Sequence, residues 1–275
     1  MSIESFNLLL LVMGLMALVV FIALYFVRAG YGMFLAVLVS PIRIVKVVVR
    51  SGYGMFRSRS WGISVNNKIA WILMEAPVFL VMGWLWWHSD RRFLPVELTF
   101  FLFFQLHYFQ RAFVFPFLMK GKSKMPVLIL LMGVIFNILN GLMQGEWIFY
   151  LAPSDYYTPG WLLTPCFWIG TLLFFAGMGI NWHSDSVIRH LRAPGDTRHY
   201  LPQRGMYRYV TSANYLGEIV EWVGWAILTW SLSGCIFAWW TVANLVPRAD
   251  AIWHRYREEF GTQVGLKKRI FPFLY

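Results

Sequence analysis

Long apolar blocks separated by short basic connections recur along this chain. Phe6 to Val27 forms one such block, close to the roughly 20 residues that cross a bilayer as a helix. Comparable blocks at 71–88, 95–119, 126–150, 161–182, 210–230 and 233–247 bring the expected number of transmembrane helices to seven. The first block follows a single acidic residue and lacks a basic start or a small-residue cleavage site, so it is expected to be retained as a span. Residues 31–50, YGMFLAVLVSPIRIVKVVVR, are also apolar, but Pro41 interrupts them and Arg43, Lys46 and Arg50 recur at helical spacing. That pattern predicts an amphipathic helix at the interface. RAGYGMF at 28–34 and RSGYGMF at 50–56 read as a short local duplication in the same connection.

The fold class that follows is an all-α integral membrane protein with a single polytopic domain over residues 1–275. Composition agrees, with 59% hydrophobic and 13% charged residues where a soluble domain carries roughly a quarter charged. Of 24 Lys and Arg, seven fall between the first two blocks, three between the third and fourth, five between the fifth and sixth and six after the last. Alternate connections are therefore basic, which places the N-terminus outside and the C-terminus in the cytosol. The net charge of +11 is mostly this orientation signal. A nucleic-acid partner is not expected, because no compact basic domain presents a patch. Cys166 and Cys235 each sit inside an apolar stretch and read as small core residues, with no metal site implied. The same charge bias fits a bacterial inner membrane or the endoplasmic reticulum.

Ionisable and amide side chains inside spans cost several kcal/mol unless paired or facing a wet cavity, so each marks a candidate site. One set lies early: WILMEAPVFL places Glu75 one turn into the second block, and FQLHYFQRAFVFP sets Gln105, Tyr108 and Arg111 at i, i+3, i+6, with His107 four before Arg111. A second set gathers at the cytosolic ends of later spans. GMGINWHSD carries Asn181 and Asp185 on one helical face, and LRAPGD adds Arg192. NYLGEIVEW then holds Asn214, Glu218 and Glu221 at i, i+4, i+7, and Arg248, His254 and Tyr256 follow the last block. Individually these have plain explanations: Asp185 with Arg192 as an ion pair, Asn214 as a helix cap, Gly177, Gly179 and Gly217 as close-packing positions. So many amides, carboxylates and guanidiniums at one depth nevertheless point to a polar ligand among them. GMG at 177–179 is not a dinucleotide fingerprint, and no HExxH, GxSxG or P-loop pattern occurs.

From GMGINWHSDSVIRHLRAPGD through YLPQRGMYRYVTSANYLGEIVEWVGWAILTWSL to KKRIFPFLY, the sequence closely resembles the steroid 5α-reductases. GYGMF, EAPVF and HYFQRAFVFP extend the likeness to roughly residues 50–275, while residues 1–50 diverge. The basic connection KGKSK at 120–124 departs from the arginine-containing family version. The resemblance implies a seven-helix membrane oxidoreductase that uses NADPH to reduce the Δ4 double bond of a 3-oxo-Δ4-steroid to the 5α product. It also implies that Glu75 and Tyr108 hold the substrate carbonyl. Asn181, Asp185, Arg192, Asn214, Glu218, Arg248, His254 and Tyr256 match positions that bind the cofactor in that family.

The chemistry is self-consistent. An enone accepts hydride at its β carbon only if charge can accumulate on the carbonyl oxygen, so a donor must sit there. Tyr108 and a neutral Glu75, kept protonated by its apolar surroundings, meet that need. The other glutamates are expected to serve elsewhere, Glu218 at the nicotinamide carboxamide and Glu221 against Arg248 or Arg111. The expected partners are a steroid or sterol-like lipid and the surrounding membrane lipid. Rival readings are a reductase of another sterol-like or enoyl lipid, a membrane methyltransferase, and a proton-coupled transporter, the last requiring an inverted repeat that the sequence lacks.

Overall fold

The computed structural model describes residues 1–26, 63–121, 123–193, 196 and 198–275. The expected interfacial helix at 31–50 and both GYGMF stretches lie outside them. Helices dominate: α1 (Ile3–Phe26), α2 (Asn67–His88), α3 (Pro95–Phe109), α4 (Phe115–Leu118), α5 (Val127–Glu146), α6 (Pro165–Arg189), α7 (Ala213–Thr229) and α8 (Leu232–Phe260). Their starts follow local chemistry. Asn66 caps α2 by accepting from the Lys68 amide at 2.9 Å, and the Ser231 hydroxyl caps α8 by accepting from the Gly234 amide at 3.0 Å. α3 and α6 begin at proline, whose missing N–H is no loss in a first turn.

Among the described residues, four helical segments are long and apolar enough to cross a membrane: Ile3–Tyr25, Asn67–His88, Val127–Leu151 and Pro165–Arg189. The protein is therefore a membrane protein. α3, with 15 residues, and α7, with 17, fall short of the roughly 20 that a bilayer needs. The helical backbone of α3 nonetheless continues through a π turn at Gln110–Val114 into α4. Two features differ from the sequence pattern. α8 runs on to Phe260, past the end of the apolar block at 247, and this extension is laced by i, i+4 contacts: His254 with Asp250 at 3.6 Å, Arg255 with Glu259 at 3.7 Å, and Arg257 over the Trp253 ring. A small antiparallel pair, β1 (Ser64–Asn66) and β2 (Lys124–Pro126), adds a strand element to an otherwise all-α fold by pairing the extended backbone that leads into α2 and α5.

The chain forms two compact units. The first holds α1 up to Met16 and the elements from β1 to Thr164. In it α2 packs along α5, where glycines admit the neighbour: a side chain at Gly145 would meet Leu85 at 2.6 Å, and one at Gly141 would meet Val81 at 3.0 Å. Ala70, Met125, Ile129 and Leu130 form a small core closed by Trp71, Met74 and Val134.

The second unit holds the rest of α1 and everything from Pro165. Its organising contact is the α6–α7 pair. A Cβ at Gly177 would lie 2.2 Å from the Glu221 amide nitrogen, and one at Gly217 would lie 2.4 Å from that of Asn181. Two turns along, a Cβ at Gly170 would lie 2.4 Å from the Leu228 nitrogen and one at Gly224 the same distance from that of Phe174. Seven-residue spacing keeps each glycine pair on one helical face, so the two backbones touch directly along that face. Val187, Tyr207, Val210, Leu216, Ile219, Leu245, Ala249 and Ile270 build a core beside this contact.

Because backbone cannot yield as a flexible side chain does, Gly177→Ala is expected to destabilise the second unit by about 1–3 kcal/mol. Gly179→Ala, with nothing within 4 Å of the added carbon, is expected to be nearly neutral. Thermal unfolding of the two detergent-solubilised variants checks the contrast.

Candidate functional site

In the first unit, the residues read from sequence as carbonyl-holding meet through α5. Its Asn137, Asn140 and Gln144 are buried and stand at i, i+3, i+7, hence on one face. Asn140 Nδ2 donates to the Tyr108 phenol oxygen at 3.1 Å, and Gln144 Nε2 donates to Asn140 Oδ1 at 3.4 Å. One turn earlier, Asn137 Nδ2 donates to the Met74 carbonyl at 2.7 Å and lies 3.4 Å from Glu75 Oε2. Glu75, half-buried on α2, and Tyr108, buried on α3, are thus both served by amide donors from neighbouring turns of one helix.

The other polar residues of α3 diverge from this face. Gln105 Nε2 donates to the Phe79 carbonyl at 3.2 Å, and its buried Oε1 has no hydrogen-bond partner among the described residues. Arg111 lies in the π turn that follows Tyr108, and its guanidinium stacks over Trp71 at 4.6 Å and Phe115 at 5.0 Å. The extra residue of a π turn breaks the i, i+3, i+6 register that had placed Arg111 with Tyr108.

In the second unit, the glycine contact brings a polar cluster together. Asn181 is one turn beyond Gly177 on α6, and Asn214 lies one turn before Gly217 on α7. Asn181 Nδ2 donates to the Asn214 carbonyl at 2.9 Å, and Asn214 Nδ2 donates to Asp185 Oδ1 at 3.3 Å. Tyr207, fully buried in the 3-10 turn before α7, donates its hydroxyl to Asn214 Oδ1 at 3.2 Å. Asn214 is therefore not a helix cap; that position belongs to Ser212. Glu218 follows Asn214 by one turn and is half-buried.

Burial pushes the Tyr207 phenol well above its usual range, reinforced by the nearby charge of Asp185, so it remains a proton donor at neutral pH. The Tyr256 phenol is pushed up to about 12, mainly by burial, while Arg192 acts on it in the opposite direction. Tyr256 also contributes to the rise at Tyr207, so the two phenols lie near one another, and Arg192 is exposed. Arg248 is half-buried on α8. His254 is not gathered into the cluster: it pairs with Asp250, which also binds Arg269. Glu221 is buried under the α6 backbone at Gly177.

The C-terminal residues hold the start of α7 in place. The Thr211 and Ser212 amides donate to the Lys268 and Arg269 carbonyls at 2.9 and 3.1 Å, and Lys267 donates to the Tyr207 carbonyl. Arg269 is stacked on Trp253 and Tyr275 while ion-paired to Asp250. In the connection after α6, Arg198 and Tyr200 both bond Asp196 and hold its carboxyl below the usual carboxylate range; His199 reaches Glu259 at 2.7 Å. A groove of about 570 Å³ lined by Ala176, Gly179, Ile180 and His183 opens on the other face of α6 from Asn181 and Asp185.

Two comparisons bear on what this arrangement is. The family model described as 3-oxo-5-alpha-steroid 4-dehydrogenase matches residues 123–275. The 3-oxo-5-alpha-steroid 4-dehydrogenase 1 of Mus musculus is 37% identical over 268 residues, covering 95% of this chain and 93% of its own. The chain belongs to the 3-oxo-5-alpha-steroid 4-dehydrogenase family. The Homo sapiens protein named 3-oxo-5-alpha-steroid 4-dehydrogenase 2 is 38% identical over 209 residues, 76% of this chain and 81% of its own. As a member of this family the protein is an oxidoreductase, and its apolar helices fit an enzyme of the membrane.

Four residues of the candidate site escape the span-by-span pattern. Asn137, Asn140 and Gln144 sit in a block read as plain membrane helix, although three amides on one face are a legible signal. Tyr207 carries none, since its role depends on a turn that places it under Asn214. Removing its hydroxyl in Tyr207→Phe takes the donor from the half-buried Asn214 Oδ1 and is expected to cost about 1 kcal/mol. His254→Ala, at an exposed ion pair, is expected to change stability by less than about 0.5 kcal/mol. Denaturant melts of both variants measure the difference.

Proposed function

We propose that the protein reduces the Δ4 double bond of 3-oxo-Δ4-steroids to the 5α product with NADPH, and that Glu75 and Tyr108 hold the steroid carbonyl. The observation that carries this reading is the polarity around Tyr108: its oxygen accepts from Asn140, so the phenol proton is directed to another acceptor. A steroid 3-oxo group is such an acceptor. As hydride reaches C5 of the enone, negative charge grows on that oxygen, and donors fixed in a dry site stabilise it by about 3 kcal/mol each. A neutral Glu75 supplies the second donor. A proton added at C4 completes the reduction.

The second unit has the chemistry a nicotinamide dinucleotide requires. Asn181, Asp185, Asn214 and Glu218 offer amides and carboxylates for a carboxamide and ribose hydroxyls, and Arg192 and Arg248 offer guanidiniums for phosphates. Among the described residues, buried Ser184 Oγ on α6 and Asn244 Oδ1 on α8 have no hydrogen-bond partner, which fits groups that take a polar ligand. Tyr256, whose phenol responds to Arg192, joins this set, whereas His254 stays paired with Asp250 outside the cluster. Bound NADPH supplies the hydride. The chain's own residues orient it, and Tyr207 keeps Asn214 facing Asp185.

In this reading the seven helices of 15 or more residues among the described residues are seven spans, with the N-terminus outside and the C-terminus cytosolic. The protein is then a multi-pass enzyme that receives its steroid from the bilayer and its cofactor from the basic, cytosolic side.

Purified enzyme assayed for NADPH oxidation with a panel of 3-oxo-Δ4-steroids tests the activity. Glu75→Gln and Tyr108→Phe are each expected to lower turnover by about 10²-fold or more while NADPH affinity stays near that of the wild type. Equal loss of both contradicts the assignment. Asp185→Ala and Arg192→Ala are expected to raise the NADPH dissociation constant first; an unchanged constant makes the cluster structural.

A further inference from the structure

We infer that Asn140 and Gln144 are positioning residues that fix which way the Tyr108 hydroxyl points, forming a one-way hydrogen-bond chain from Gln144 through Asn140 to Tyr108. The inference rests on the reading of Tyr108 as the carbonyl donor.

The argument is one of polarity. A phenol can donate or accept, and a phenol in an apolar helix bundle would readily turn its proton to the nearest carbonyl oxygen. An amide nitrogen only donates. With Asn140 Nδ2 at 3.1 Å, the Tyr108 oxygen must accept on that side, and its own proton is excluded from it. The arrangement holds only while the Asn140 amide keeps its nitrogen toward Tyr108. Gln144 Nε2, 3.4 Å from Asn140 Oδ1, biases that choice by giving the amide oxygen a donor of its own. Asn140 and Gln144 are fully buried and Tyr108 almost so, so no bulk water competes to reverse the chain. Successive bonds in one direction also polarise the last O–H, making it a better donor. Asn137 repeats the pattern one turn away, placing an amide donor 3.4 Å from Glu75 Oε2.

Asn140→Asp tests the chain with almost no change in shape. An ionised carboxylate can only accept, so Tyr108 turns its proton inward and the carbonyl loses its donor. At pH 8 kcat is expected to fall by about 10²-fold, the size of losing one fixed donor, with KM for the steroid little changed. As pH falls, the introduced carboxyl gains a proton and donates again, so the ratio of variant to wild-type kcat is expected to rise. In a Tyr108→Phe background the same change is expected to lower the residual turnover no further, because there is no hydroxyl left to orient.

If Asn140→Asp fails to fold, judged by lost NADPH binding, Gln144→Glu makes the same test. A carboxylate facing Asn140 Oδ1 turns the amide round and presents its oxygen to Tyr108, again with a loss of kcat near 10²-fold. A pH-independent deficit, an equal deficit in the Tyr108→Phe background, or wild-type kcat in the folded variants overturns the inference and leaves the Tyr108 assignment standing. Full turnover in Tyr108→Phe itself overturns both.

Discussion

Direct backbone contact between α6 and α7 is the constraint from which the second unit's chemistry follows. Gly170, Gly177, Gly217 and Gly224 leave no side chain between the helices, and the added carbons of alanines would come within 2.2–2.4 Å of main-chain nitrogens. Lipid tails are as apolar as leucine, so burial alone gives two membrane helices little reason to associate; close packing over small residues does. The same closeness brings Asn181 within reach of the Asn214 carbonyl and Asn214 within reach of Asp185. A cluster of short side chains can interlock across helices only where the helices nearly touch. Longer residues at the glycine positions would separate these partners by more than a hydrogen bond spans.

The first unit achieves order differently. There α5 presents three amides on one face, and each amide has donor and acceptor ends that its neighbours hold in a fixed sense. In a low-dielectric interior such a network is strong when satisfied and costly when broken. It also carries directional information that an apolar face cannot. Tyr108 ends the chain of donors, which suits the proposed role of delivering a proton-bearing oxygen to a substrate carbonyl. The π turn at Gln110–Val114 ends that helix face directly after Tyr108 and releases Arg111 to stack on Trp71.

Much of this was legible in the residue pattern, because apolar block length and glycine and amide periodicity are one-dimensional signals. The seven blocks reappear as helices, and Asn181, Asp185 and Asn214 meet as their spacing implied. Gly177 and Gly217 prove to be packing glycines, whereas Gly179, of the same local motif, faces open space; only its rotation about the helix axis distinguishes it. The apolar block that ends at 247 does not mark the end of α8, because i, i+4 pairs carry the helix onward through charged sequence to Phe260. The contributions of Tyr207 and of the C-terminal residues that hold α7 depend on contacts between distant segments. No local spacing encodes the bond from the Ser212 amide to Arg269.

The central claim is that the polar cluster assembled by the α6–α7 contact is where the reduced dinucleotide sits. Amide hydrogen exchange, followed by mass spectrometry on the full chain with and without saturating NADPH, addresses it directly. Slower exchange concentrated in residues 181–193 and 204–218 is the predicted result. NADPH binding that leaves exchange in both segments unchanged would contradict the account.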